Sequence, residues 1–149
     1  MSCIRFNTPA QQRQLDELKN NPERRAEAIA QWLSPELTTS KVDRIRALAK
    51  DKNPKIRESA ALSYHLPEDV ARLLLTDKNE GVRICLARNE YTPCDILREL
   101  SKDKSAQVRS WVAINYFVPE DVMHELSEDP SPEVRKLVAW KSELASSTQ

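Results

Sequence analysis

The chain has 149 residues, enough for one domain with a sizeable core, and its 23 basic and 23 acidic residues give a formal net charge of zero. That balance argues against a dedicated binder of nucleic acid or anionic membrane, which is usually strongly basic. One glycine, Gly81, beside nine prolines argues against tight β-hairpins and glycine-rich phosphate loops.

A single long period, the step from Leu48 to Leu74, organises most of the sequence. Three blocks align without gaps, namely Leu48–Leu73, Leu74–Glu99 and Leu100–Glu125, and a fourth begins at Leu126. The matching columns include Leu48, Leu74, Leu100 and Leu126; Asp51, Asp77, Asp103 and Asp129; Arg57, Arg83, Arg109 and Arg135; and Pro67, Pro93 and Pro119. This many coincident columns at one 26-residue period indicates a repeat protein.

Residues 1–47 are predicted to form a degenerate N-terminal capping repeat. In the clear repeats, the column proline and the column arginine alternate at two fixed intervals along the chain. Pro9, Arg25 and Pro35 are separated by the same two intervals. The step from Pro35 to the next column arginine is longer, which indicates an insertion around Leu37–Val42.

Residues 48–125 are predicted to form three full repeats. A terminal half repeat follows at 126–145 and a tail at 146–149, because no proline stands at position 145, where the next repeat would need one. The whole chain, 1–149, is therefore expected to be a single repeat domain of about five two-helix units.

Each repeat is expected to fold as two short helices that bury their apolar faces only by stacking on neighbouring repeats. In the third block, Val108 and Val112 share one face of the first helix. Asn89 and Asn115 are predicted to end first helices in the left-handed conformation that asparagine tolerates. The second helix is predicted to begin with Pro119 as its first helical residue, where the missing N–H is harmless.

The segment Asp77–Leu97 carries Asp, Val-Arg, Ala, Asn, Thr-Pro, Asp and Leu at a spacing that resembles the variant leucine-rich repeat family. The resemblance covers Leu48–Leu144 well and Pro9–Leu37 loosely. It implies an all-α fold, a shortened HEAT-like array wound as a right-handed α-solenoid (superhelix) whose second helices are 3₁₀-like. The slightly longer repeats here leave open whether those helices are α or 3₁₀. One family member holds an iron–sulfur cluster in a cysteine-rich N-terminal segment, but only Cys3 lies near that end, so no cofactor is implied.

Four arginines recur once per repeat, and each follows an aspartate by six residues. We expect a structural ladder in which aspartates or backbone carbonyls bond buried arginines, since guanidinium groups suit bidentate bonds. A row of arginines that tracks nucleic-acid phosphates is the alternative. The ladder residues are Asp51, Arg57, Asp77, Arg83, Asp103, Arg109, Asp129 and Arg135.

An aromatic residue stands shortly before each second helix: His65, Tyr91 and Phe117. An apolar residue follows each of them by five positions, which is the spacing of a hydrophobic staple. A stacking platform is the alternative. Tyr64 and Tyr116, one place earlier, have no structural explanation in the pattern and are candidates for partner binding.

A row of large side chains is predicted on the outer face of the first helices. Each residue turns an α-helix by about 100°, so the position six residues after the core residue Ile56 faces away from the core. Apolar side chains on that face suggest a partner-binding patch anchored by Ile114 or Trp140. Scattered surface residues, or packing of Trp140 under the tail, are the alternative. The candidates are Leu62, Ile84, Arg88, Ile114 and Trp140.

Charge differs between two parts of the repeat region. Lys41–Arg57 contains seven basic and two acidic residues, a balance of +5, whereas Pro119–Arg135 contains one basic and six acidic residues, a balance of −5. We expect a monomer or weak, salt-sensitive self-association, with the basic region contacting an acidic partner or the acidic end of another copy.

Signals for catalysis are weak. The two histidines, His65 and His124, belong to no catalytic or metal-binding constellation by spacing, and no P-loop, dinucleotide-binding glycine pattern or nucleophile elbow occurs. The three cysteines, Cys3, Cys85 and Cys94, are predicted to be reduced thiols. No apolar run could span a bilayer and no secretion signal is evident, so we expect a cytoplasmic protein without membrane contact.

These features predict a non-catalytic protein-interaction module or scaffold, with another protein as its partner and no cofactor. Nucleic acid is a less favoured partner. The alternative function is a HEAT-like protein that contacts nucleic-acid phosphates through the basic region 41–57. A DNA glycosylase of similar fold, using Trp32, Trp111 or Trp140 in a cleft, is a further alternative.

Overall fold

The structure, a computed structural model, describes residues 38–146, with side chains as far as Leu144, together with Arg13. The predictions for Pro9, Arg25 and Trp32, and most of the capping repeat at 1–47, lie outside the described residues. No helix in the described part of the chain is long and apolar enough to cross a membrane.

Residues 38–146 are all-α and contain eight helices with a regular spacing of about 26 residues. They are α1 (Thr39–Leu48), α2 (Pro54–Ala61), α3 (Glu68–Leu75), α4 (Glu80–Arg88), α5 (Cys94–Leu100), α6 (Ala106–Ile114), α7 (Glu120–Ser127) and α8 (Pro132–Ser146). Helices α2, α4, α6 and α8 are the first helices of successive repeats, and α1, α3, α5 and α7 are second helices. The second helices are α-helical, which answers the question that the sequence left open.

Side chains cap the first helices at their N-termini. The Asn53 side chain accepts a hydrogen bond from the Lys55 N–H at 3.0 Å, and the Ser105 hydroxyl accepts one from the Gln107 N–H at 3.1 Å. Asn79 caps α4 in the same way. These bonds satisfy N–H groups that have no partner within the helix, so the loop before each first helix is well defined.

The second helices begin one residue later than predicted. Pro67, Pro93 and Pro119 are N-cap residues with ψ of 139°, 147° and 148°, so they precede the first helical residue. The Pro67 carbonyl nevertheless accepts hydrogen bonds from the N–H groups of Val70 and Ala71. Proline therefore starts each second helix through its carbonyl while its own backbone stays extended.

The predicted left-handed ends of the first helices are wrong. Asn89 has φ −71° and ψ 123°, and Asn115 has φ −54° and ψ 134°, which is extended backbone. Among the described non-glycine residues, only His65 has a positive φ, at 49°. The asparagines are needed for another reason, which lies in the bonds of their side chains.

The core lies between the two sets of helices. Each first helix contacts the next first helix, from α2 through α4 and α6 to α8, and α3 contacts α5. Contacts therefore join helices that lie two places apart along the chain, consistent with a helical repeat array. The largest fully buried side chains include Leu74, Leu86, Ile96, Leu97, Leu100 and Leu126. Because both helices of a repeat supply them, neighbouring repeats share one continuous core.

Candidate functional site

The loops of the array alternate between the two ends of its helices, because short loops join antiparallel neighbours. We call the loops that precede first helices, 49–53, 76–79, 101–105 and 128–131, the ladder edge. We call the loops that precede second helices, 62–67, 89–93 and 115–119, the aromatic edge. The predicted site residues divide between these two edges.

Three largely buried ion pairs form an inner ladder at the ladder edge. Arg57 bonds Asp77, Arg83 bonds Asp103 and Arg109 bonds Asp129, each with an Nε–Oδ2 distance of 2.7 Å and a second bond from Nη2 to Oδ1. Nη1 of each arginine also donates to the backbone carbonyl of the aspartate six residues earlier, at 2.7–2.8 Å. Each guanidinium therefore holds two successive loops together.

The aspartate six residues before each arginine does not supply the carboxylate partner. The carboxylate partner lies 20 residues after the arginine, in the next loop, whereas the earlier aspartate offers its carbonyl. The carboxylate of each column aspartate also accepts a hydrogen bond from the N–H two residues later, as Asp103 does from Ser105 at 2.8 Å. That local bond turns the carboxylate towards the preceding repeat.

The first aspartate and the last arginine of this row differ from the others. The Asp51 carboxylate accepts a hydrogen bond from the Asn53 N–H at 2.7 Å and has no arginine partner within residues 38–146. Arg135 is exposed and donates to the carbonyls of Asp129 and Pro130, without a carboxylate partner in the same span. The inner ladder therefore joins three arginines, not four, to carboxylates.

Burial and hydrogen bonding act in opposite directions on the ladder carboxylates. Burial raises the pKa of Asp103, but hydrogen bonds from Arg83 and from the Ser105 N–H outweigh it, so the pKa is lower than usual. The hydrogen bond to Asp103 raises the pKa of Arg83 in turn. The two side chains are only 6% and 9% exposed, so the charge of the arginine is neutralised inside the array.

A second set of pairs, the outer ladder, joins second helices and was missed by the sequence analysis. Each arginine bonds an aspartate 23 residues later, at 2.6–2.8 Å. The pairs are Arg46–Asp69, Arg72–Asp95 and Arg98–Asp121, and their side chains are about half exposed. The recurrence of these arginines at the repeat period was a signal that could have found them.

Two buried asparagines tie first helices together at the aromatic edge. The Asn89 side-chain N–H donates to the carbonyls of Ala61 and Ser63 at 2.7 and 2.9 Å, and its Oδ1 accepts from the Tyr91 N–H. Asn115 makes the equivalent bonds one repeat later, to the Ala87 and Asn89 carbonyls and from the Phe117 N–H. The Ala61 and Ala87 carbonyls lie at the end of a first helix, where no N–H of that helix can reach them, so the side chain of the next repeat satisfies them.

Lys141 takes the place of asparagine in α8. Its ammonium donates to the carbonyls of Ala113 and Asn115, and burial lowers the pKa of this lysine. The position therefore keeps one job through three repeats, which is to close the C-terminus of the preceding first helix.

Aromatic rings project from the turns beside these asparagines. Tyr64 is 69% exposed, Tyr116 is 78% exposed and Phe117 is 53% exposed. Rings also touch between repeats, since the Tyr91 centroid lies 4.6 Å from that of His65 and 5.4 Å from that of Tyr64. The candidates Tyr64 and Tyr116 thus belong to an exposed aromatic surface.

The staple prediction is wrong for Tyr91 and Phe117, which are exposed. Because the second helices begin one residue later than expected, the residues just before their N-caps are Leu66, Thr92 and Val118. Leu66 and Thr92 are buried there. The two rings lie one residue earlier in the chain than the position from which a staple residue packs on the second helix.

The predicted outer row ends at the same edge, with one exception. Leu62, Ile114 and Trp140 are exposed, and the Arg88 guanidinium lies 4.7 Å from the ring centroid of Trp111. Ile84 is instead partly buried and packs against the core, so its place among the partner-binding candidates is corrected. A residue one turn before the helix end faces the neighbouring first helix rather than solvent.

The charge changes along the ladder edge. Exposed lysines line the start of the ladder edge, where Lys50, Lys52 and Lys78 surround an open cavity of about 510 Å³ above the first ladder pair. An equivalent cavity of about 350 Å³ lies two repeats further along, where Glu125, Glu128 and a single lysine, Lys102, line it. The predicted change from a basic to an acidic region is therefore visible along the ladder edge.

The described region contains two free thiols and no cluster of metal-binding side chains. No group of three or more His, Cys, Asp or Glu side chains could hold a metal ion among residues 38–146. Cys85 and Cys94 are free thiols, and burial raises the pKa of Cys85. Cys3 lies outside the described residues.

Comparison of the chain with known proteins finds no match to a family model, to a curated protein or to a solved structure. The resemblance to the variant leucine-rich repeat family therefore stays a prediction. The arrangement of side chains at the two edges is the basis for any functional proposal.

Proposed function

We propose that the chain is a non-catalytic protein-interaction module whose working surface is the aromatic edge. The observation that carries this proposal is the exposure of Tyr64, Tyr91, Tyr116 and Phe117 in three successive turns. The three tyrosine hydroxyls make no hydrogen bond within the described residues. Interfaces concentrate large aromatic side chains of this kind, because each adds apolar area and tyrosine adds a polar tip.

The proposed architecture is a right-handed α-solenoid of the variant leucine-rich repeat type, with residues 1–47 as its cap. The equal steps between the starts of α2, α4, α6 and α8 support it. An experimental structure of the whole chain would test the handedness and the cap. The proposal includes no cofactor, no membrane contact and a cytoplasmic location.

Capture of a partner by paired variants tests the proposed function. Tyr64→Ala combined with Tyr116→Ala removes the two most exposed rings, and Leu73→Ala, on α3, removes an apolar side chain of 45% exposure elsewhere. We expect the tyrosine variant to lose the proteins captured from the source lysate and the Leu73 variant to keep them. Equal capture by both variants, with circular dichroism unchanged, would reject the aromatic edge as the binding surface.

A second candidate function, nucleic-acid contact through the basic region 41–57, is favoured by one observation. Lys50, Lys52 and Lys78 converge on one cavity, and all three are exposed. Binding to phosphates would weaken steeply with added salt. Fluorescence anisotropy with DNA and RNA oligonucleotides, for the parent chain and for Lys50→Gln with Lys52→Gln, tests it. Absence of salt-dependent binding would exclude this candidate.

We propose that the chain is monomeric or self-associates weakly. Arg46 and Arg57 are paired within the array, so the basic region contacts another copy mainly through Arg44, Lys50 and Lys52. Such attraction is screened over about 8 Å at physiological salt. Self-association should appear in sedimentation only at low salt, and a strict monomer at low salt would remove the self-association version of this proposal.

A further inference from the structure

The hydroxyl groups of the aromatic edge suit a partner whose backbone carbonyls are free. Tyr64, Tyr91 and Tyr116 offer hydroxyl donors beside exposed ring faces. A polyproline II segment has no internal hydrogen bonds, so its carbonyls can accept from such donors while its proline rings pack on aromatic faces. The carbonyls of a helical partner are already used in its own hydrogen bonds.

The backbone of the aromatic edge offers little to an incoming strand. The N–H groups of Tyr91 and Phe117 donate to asparagine side chains, and those of Thr92 and Val118 donate to the carbonyls of Asn89 and Asn115. No β-strand occurs among residues 38–146 that could be extended by a partner strand. Recognition at this edge must therefore use side chains, as polyproline recognition does.

The repeat spacing of the edge fits the pitch of polyproline II. That helix has three residues per turn and advances about 9 Å per turn. Packed α-helices lie about 8–10 Å apart, and α2, α4 and α6 contact one another in sequence. One turn of such a segment would therefore advance by about one helix spacing, with the adjoining Tyr64 and Tyr91 rings, whose centroids lie 5.4 Å apart, as one contact and Tyr116 as the next.

The charges around the rings favour basic flanks on the partner. Glu90 and Glu120 are exposed at this edge and form no ion pair among the described residues. Of the described cations near these turns, Arg88 lies over the Trp111 ring and the Lys141 ammonium is held by the Ala113 and Asn115 carbonyls. A negatively charged partner such as RNA would be repelled here, whereas lysine or arginine beside the prolines would be attracted.

We propose that the aromatic edge binds an extended, proline-containing peptide segment in the polyproline II conformation, with basic residues beside the prolines. The proposal rests on the proposed function and specifies the partner for the same surface. Tyr64, Tyr91 and Tyr116 contact the proline rings and donate to carbonyls, and Glu90 and Glu120 contact the basic flanks.

Two matched peptide libraries test this proposal on the full chain. The first has arginine flanks, proline fixed at every third position and all other positions randomised, and the second has alanine at the fixed positions. We expect the proline library to be captured at least about tenfold more strongly, and Tyr64→Ala with Tyr116→Ala to remove most of that preference. Leu73→Ala should leave the preference unchanged, and the corresponding Tyr→Phe variant, which keeps the rings, should retain part of it.

Equal capture of the two libraries would overturn the proposal, as would a preference that survives the Tyr→Ala changes. Stronger binding of a uridine oligonucleotide than of the proline library would overturn it as well. If the tyrosine variant loses its lysate partner but no proline preference is found, the interaction function stands and only this inference fails. If the variant keeps its partner, the proposed function fails independently of the peptide result.

Discussion

At the ladder edge, Arg83 is 5% exposed and its guanidinium bonds two loops, whereas at the aromatic edge Tyr116 is 78% exposed and its hydroxyl bonds no described residue. Arg83 belongs to a column that holds arginine in every repeat, whereas the column of Tyr116 holds Glu90 one repeat earlier and Tyr64 two repeats earlier. The difference shows that the constant column serves stacking, while the variable column is exposed. Polar groups that hydrogen-bond to one another hold neighbouring repeats together. Large exposed side chains that bond to no described residue are available to bind a partner.

The two ladders extend this comparison to pairs of the same chemistry. Arg83–Asp103 and Arg98–Asp121 both join neighbouring repeats through Nε–Oδ2 bonds of 2.7 Å. The first pair is buried and the second about half exposed. Exposed ion pairs contribute little to stability because water solvates the separated charges, whereas breaking a buried pair leaves one charge without water or partner.

Replacement of Arg83 by alanine should have the largest effect. It leaves the Asp103 carboxylate buried without its guanidinium and frees the Asp77 carbonyl, so the free energy of unfolding should fall by about 3–5 kcal/mol. Urea unfolding followed by circular dichroism measures the change. An unchanged melting temperature in Arg83→Ala would show that the inner ladder is not structural and would favour the phosphate-binding alternative.

Acid should destabilise the array through the inner ladder. The pKa values of Asp77, Asp103 and Asp129 are lowered, so these carboxylates bind protons more readily in the unfolded chain. Their contribution is present above the unfolded pKa, about 3.9, and is lost as pH falls through the lower folded values. The urea midpoint should drop below about pH 4, and Asp103→Asn should reduce that dependence. A midpoint independent of pH in this range would contradict the pairing.

Replacement of Asn115 by alanine should have a smaller effect, about 1–3 kcal/mol. The change leaves the Ala87 carbonyl buried without a donor, removes one of the two donors to the Asn89 carbonyl and removes the bond to the Phe117 N–H. Urea unfolding of Asn115→Ala against the parent chain measures it. A variant as stable as the parent would mean that water replaces the amide at this edge.

Replacement of Arg98 by alanine should have the smallest effect of these four changes. Its partner Asp121 and its own side chain are about half exposed, so both are solvated after the change. We expect a shift in the urea midpoint that is a small fraction of that for Arg83→Ala. Similar losses for the two variants would show that burial does not separate the inner from the outer ladder.

The sequence predicted the helical repeat because its period is long, free of gaps and carried by apolar columns. The starts of α2, α4, α6 and α8 follow from the columns that hold Ile56 and its equivalents. Distance along the chain did not identify ladder partners, because Arg83 is nearer in sequence to Asp77 than to Asp103. The pairing depends on which loop of the next repeat lies beside the arginine. A column of aligned residues does not show how neighbouring repeats are placed in space.

The structural role of the asparagines also could not be predicted from the aligned columns of the repeat. Asn89 and Asn115 stand where a helix ends, and a left-handed cap is a common use of asparagine there. The exposed carbonyls of the preceding repeat instead accept from their side chains. The sequence did single out Tyr64 and Tyr116, because neither fitted a structural job, and the structure places both on the surface.

Urea unfolding of two double variants, one at each edge, tests the central claim most directly. Arg83→Ala with Arg109→Ala breaks the ladder edge, and Tyr64→Ala with Tyr116→Ala strips the aromatic edge. We predict that the arginine variant loses most of its stability or does not fold, while the tyrosine variant unfolds at the urea midpoint of the parent chain. A tyrosine variant destabilised as much as the arginine variant, or an arginine variant as stable as the parent, would contradict the division of roles between the two edges.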